Sequence, residues 1–92
     1  MRERIAELIN HVSDTHRKFK GFEEATGVKA KTWQNIVEGK QKANHEHIEA
    51  IAKRWPEFAY WLVTGQTDEA HGHTSPILER IREDLKRVGK AG

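Results

Sequence analysis

Gly27-Val28-Lys29-Ala30-Lys31-Thr32-Trp33-Gln34-Asn35-Ile36-Val37-Glu38-Gly39-Lys40 is the stretch that decides how this chain reads. At 100° per residue, Val28, Trp33, Ile36 and Val37 fall on one side of a helix, and Lys31, Gln34, Asn35 and Glu38 fall on the other. The first side suits a core and the second offers polar groups to a partner. Lys and Asn are among the side chains that read base edges in a DNA major groove.

Outward from this helix, proline and glycine divide the rest of the chain. Phe22 and Ala25 belong to a short preceding helix that stops at Gly27, the residue type favoured in a left-handed turn. Before it, Ile5, Leu8, Ile9 and Val12 recur at helical spacing and give a first amphipathic helix ending near Ser13 and Asp14. After Gly39, Asn44 is a fitting cap for a fourth helix with Ile48, Ile51, Ala52 and Trp55 on its apolar side. Pro56 ends that helix and starts a fifth over 57–64, closed by Gly65. No run alternates as a strand requires. The spacing therefore predicts an all-α chain, with a five-helix domain over 1–66.

Residues 67–75 are polar, lack periodicity and contain Gly72, so they are predicted to be a linker. Ser75 and Pro76 then cap and open a last helix over 76–92. Ile77, Ile81, Leu85 and Val88 form a narrow stripe along it, joined by Leu78, which is the form of a helix-pairing seam. These five residues are the expected self-association surface.

Composition narrows the function. A chain of 92 residues buries only about 60 to 65% of its unfolded surface, so self-association would add useful stability. The absence of cysteine removes disulfides, thiolate zinc sites and thiol nucleophiles together. Residues 1–5 are charged where a signal peptide needs an apolar run, and the longest apolar stretch, 58–63, is too short for a bilayer. A cytoplasmic protein with no membrane partner is expected. His45 and His47 lie two apart on a helix and so diverge, while His71 and His73 fall in the predicted linker; no metal or other cofactor is expected. Asp14, Thr15 and His16 form a polar turn, no nucleophile has a recognisable base, and no small-molecule ligand is evident, so an enzyme is not expected. The helical spacing of Trp33, Trp55 and Trp61 favours core packing over stacking on single strands.

The net charge of +2 says little, but its distribution says more. Between residues 17 and 44 there are seven Lys or Arg against three Glu, and between 45 and 69 two against five acids. A basic block flanked by an acidic one suits a molecule with one face toward a polyanion.

A helix ending at glycine, a tight turn and a helix with a polar outer side form a helix-turn-helix arrangement. With Gly27-Val28 at the turn, the run to Glu38-Gly39-Lys40, and Phe58-Ala59-Tyr60-Trp61-Leu62-Val63-Thr64-Gly65 as a closing helix, the chain resembles the lambda-repressor-like, or Xre-type, DNA-binding family over about residues 1–66. Two positions depart from that pattern. Glu23 stands where the family has a small residue, and Lys29 where it favours a Ser or Thr cap.

By position, the resemblance implies base contacts from Lys31 and Asn35, with Ala30 and Gln34 beside them. Lys31 suits guanine O6 and N7, and Asn35 suits adenine N6 and N7. Lys29 and Thr32 at the helix start, with Arg17, Lys18, Lys20, Lys40, Lys42 and Asn44 around it, would meet phosphates and set affinity more than specificity. The implied function is a transcription regulator that binds double-stranded DNA at an inverted repeat, as a homodimer or a tetramer. The alternative is a protein-interaction adaptor, such as an antitoxin-like partner, on the same fold.

Overall fold

Apolar residues three and four apart share one face only in a helix, and their burial is what holds such short helices together. The computed structural model describes residues 1–91, with side chains to residue 89. It comprises α1 (Arg2–Val12), α2 (Lys18–Thr26), α3 (Ala30–Val37), α4 (His45–Arg54), a 3₁₀ turn (Pro56–Phe58) running into α5 (Ala59–Thr64), a second 3₁₀ turn (Glu69–His71) and α6 (Pro76–Ala91). The described residues are all-helical, apart from an isolated bridge between Asp68 and His73. Residue 92, expected within the last helix, lies outside them.

The core draws on α1 through α5: Ile5, Leu8 and Ile9 from α1, Phe22 from α2, Trp33 and Ile36 from α3, Ile51 from α4, then Trp55, Phe58, Trp61 and Leu62. All three tryptophans are buried. Phe22 is the hub, meeting Trp33 edge-on at 4.8 Å and stacking on Trp55 at 5.1 Å. Rings in these arrangements add to the burial of their area. Arg4 ties α1 to α5, its Nε donating to the Leu62 carbonyl at 2.8 Å.

Local chemistry sets the boundaries. Gly27 has φ 79° and its N–H returns to the Glu23 carbonyl, so α2 ends in a left-handed residue. Asn44 caps α4 by accepting from the Glu46 and His47 amides, while His47 Nδ1 accepts the Asn44 amide at 3.0 Å. That reciprocal box has an imidazole in the place usually held by Glu or Gln. The fifth helix, expected over 57–64, opens instead as a 3₁₀ turn at Pro56 before becoming α5.

The segment expected to be a linker, 67–75, is folded. Asp68 and His73 exchange backbone hydrogen bonds at 2.8 and 2.9 Å around the second 3₁₀ turn, and the Thr74 amide donates to the Glu57 carbonyl at 3.0 Å. His73 packs on Tyr60, and Thr74, Ser75 and Pro76 are buried. Hydropathy periodicity registers none of this, because the bonds are between backbone groups. α6 therefore starts against the body of the fold, where it contacts α1.

Candidate nucleic-acid interface

Mounting of α3 begins with two fully buried anchors, Trp33 and Ile36. A buried indole N–H needs an acceptor, and Thr26, the last residue of α2, supplies it at 3.1 Å. The same Thr26 oxygen donates to the Phe22 carbonyl at 2.7 Å and accepts the Val28 amide at 3.3 Å. One hydroxyl thus joins α2, the three-residue turn and α3.

The free amides at the start of α3 need partners too. Lys29, at the cap position, makes no side-chain cap. Glu23 takes that role from α2, its Oε1 accepting the Ala30 amide at 2.8 Å while Oε2 pairs with Lys20 at 3.2 Å. Glu23 and the missing side-chain cap at Lys29 are therefore one device, in which the acid on α2 supplies the cap absent from α3. The Ala30 hydrogen bond, followed by Lys20, holds the Glu23 carboxyl below its ordinary 4.5. Sequence reasoning named both departures and missed their link. The signal was the coincidence of an unexpected acid and a missing cap across one turn.

The outer side of α3 carries Lys31, Gln34, Asn35 and Glu38, as the helical angle requires. Lys31 is exposed, and Gln34, Asn35, Ala30 and Thr32 are half-buried. Gln34 Nε2 donates to Glu38 Oε2 at 3.0 Å, and Glu38 Oε1 pairs with Lys40 at 3.1 Å. Those two contacts, Gln34's first, hold the Glu38 carboxyl below 4.5.

The cations among the expected base and phosphate contacts divide into two groups. Arg17 pairs with Glu24 at 2.9 Å, Lys20 with Glu23 and Lys40 with Glu38. The three acids of the basic block thus sit on three of its seven cations. Lys18, Lys29, Lys31 and Lys42 have no carboxylate within ion-pairing distance among the described residues. Lys18 instead lies over the Phe19 ring at 5.2 Å. Asn44 differs from all of these, because its side-chain oxygen is engaged in capping α4 and only its amide nitrogen remains.

Two other surfaces bear on function. On α6, Ile77, Ile81, Leu85 and Val88 are exposed, Leu85 and Val88 by more than two thirds, while Leu78 is half-buried. Beyond the end of α3, Met1, Arg2, Ile36, Gly39, Gln41, Lys42 and Ala43 line a cleft of about 380 Å³. Gly39, at φ 81°, leaves room there for the Arg2 guanidinium, which any Cβ would strike. No helix of the described residues is long and apolar enough to cross a membrane.

Set against known proteins, the chain matches no family model, no curated protein and no solved structure.

Proposed function

We propose that this chain is a sequence-specific DNA-binding regulator of the lambda-repressor-like, helix-turn-helix kind, in which α2 props α3 into the major groove. The observation that carries this reading is the way α3 is held. Its apolar side is locked by Trp33, Ile36 and Thr26, while Lys31, Gln34 and Asn35 stand on the opposite side beside the unpaired Lys29. Lys31 and Asn35 read base edges, with Ala30 and Gln34 next to them. Lys29, Thr32, Lys18 and Lys42 meet phosphates, and Arg17, Lys20 and Lys40 do so only by leaving their carboxylates. One such module makes few base contacts, so two copies pair through the α6 stripe and read half-sites about one helical turn apart.

Selection of duplexes from a random pool at low salt, followed by sizing of the complex, tests this. An inverted repeat bound by two chains is the expected result. Absence of binding to any duplex in low salt overturns it.

The second reading, a protein-interaction adaptor, is favoured by the internal pairing of Arg17, Lys20 and Lys40 and by the apolar stripe. It requires activity to survive replacement of Lys31 and Asn35 and to be lost on replacement of Ile81 and Leu85. The regulator loses specific DNA binding with the first pair and assembly with the second.

A further inference from the structure

Gln34, Glu38 and Lys40 form a chain of contacts along the outer side of α3. A carboxylate only accepts hydrogen bonds, so a glutamine amide can approach it through nitrogen alone. With Nε2 bound to Glu38 at 3.0 Å, turning the amide over would break that bond. When the N–H trans to the carbonyl is the one given to Glu38, the other N–H and the carbonyl oxygen of Gln34 remain, a donor and an acceptor side by side. That pattern complements adenine, which offers N7 as acceptor and N6–H₂ as donor in the major groove. It opposes guanine, whose N7 and O6 are both acceptors.

We propose that Glu38 is a positioning residue that fixes the Gln34 amide to select adenine at one place in the half-site. This rests on the DNA-binding reading above and adds a base identity to it. Lys40 completes the arrangement by taking the other carboxylate oxygen at 3.1 Å, which balances a negative charge that phosphates would otherwise repel. The same two partners hold the carboxyl below its ordinary range, so Glu38 stays ionised and acceptor-only near neutrality. Without Glu38 the amide presents either edge, and Lys40 is released toward phosphate.

The test is duplex selection from a random pool with the wild-type chain, Gln34→Ala, Glu38→Ala and the double variant, with circular dichroism confirming that each is folded. Wild type should favour adenine at one half-site position by about tenfold or more, the discrimination of a bidentate pair. Gln34→Ala should abolish that preference. Glu38→Ala should lower it by about twofold to tenfold, the cost of ordering one free side chain, while leaving the positions read by Lys31 and Asn35 unchanged. In the Gln34→Ala background, Glu38→Ala should alter no base preference. Its salt dependence should steepen by about 0.9 in log K against log salt as Lys40 gains a phosphate.

An undiminished adenine preference in Glu38→Ala overturns the proposal. A preference changed by Glu38→Ala in the absence of Gln34 also overturns it, because Glu38 would then be reading a base directly. A wild-type chain that selects no duplex removes the DNA-binding reading itself, and the role of Glu38 with it.

Discussion

Replacing Thr26 by valine keeps the shape and volume of the side chain while deleting its oxygen, so no cavity term enters. What is lost is the acceptor for the Trp33 indole N–H, the acceptor for the Val28 amide and the hydroxyl bond to the Phe22 carbonyl. Trp33 is fully buried, so its N–H has no water to turn to, and an orphaned buried donor costs about 1–3 kcal/mol. Val28 is half-buried, so solvent replaces most of its bond. Thr26→Val should therefore destabilise the fold by about 2 kcal/mol, or roughly 8–16 °C in Tm for a domain of this size. Urea unfolding followed by circular dichroism measures it. Thr26→Ser, which keeps the oxygen, should fall within about 0.5 kcal/mol of wild type. The decisive arm is the double-mutant cycle with Trp33→Phe, which removes the donor: on that background Thr26→Val should cost about 0.5 kcal/mol or less. Equal costs in the two backgrounds would refute the claim that this hydroxyl serves the indole.

Glu23→Gln should flatten the acid limb of stability. A carboxyl lowered in the fold stabilises above its unfolded pKa and loses that contribution as pH falls through the folded value. Melting from about pH 6 down to about pH 3.5 should therefore cost the variant less than wild type, and an unchanged slope would remove the capping role. For DNA binding, Lys29→Ala and Lys42→Ala should each flatten log K against log salt by about 0.9. Arg17→Ala, already paired with Glu24, should flatten it less, and equal effects would contradict the division between free and paired cations. Ile81→Asp with Leu85→Asp should convert a dimer to a monomer by light scattering without loss of helix from 1–66; an unchanged mass excludes the α6 seam. Four Gly-Ser residues inserted between Thr74 and Ser75, beyond the bond from the Thr74 amide to Glu57, should leave the dimer intact but widen the range of half-site spacings it accepts, and strict retention of one spacing would count against a fixed α6.

Much of the architecture was legible because it is written locally. The apolar spacing in α1 and α3, the glycine after Thr26, Asn44 before α4 and Pro56 after it each act within a turn of their own position. Thr26 and Glu23 were not legible as structural actors, because their partners Trp33 and Ala30 are fixed only once α2 and α3 have packed, whereas the contact of Gln34 with Glu38 spans four residues of one helix and was overlooked. Charge counting found the excess of four cations between residues 17 and 44, but which cations were left free depended on pairings such as Arg17 with Glu24, seven residues apart. The order within the segment 67–75 was not legible for another reason. Its order comes from backbone bonds between Asp68, His73, Thr74 and Glu57, and backbone groups are the same in every sequence.

That segment also governs how a paired α6 would act on α3. A slack polar tether of nine residues would let two reading heads wander independently, and a second half-site would then add affinity without constraining spacing. Here the Thr74 amide is bonded to Glu57, Pro76 is buried, and Arg82 reaches Glu69 at 3.4 Å. The first turns of α6 are therefore joined to the body that carries α3, while the stripe beyond them is exposed. If two copies meet along that stripe, the distance between their α3 helices is a property of the protein. Selection against wrongly spaced half-sites would then come from rigidity, with no further base contact required.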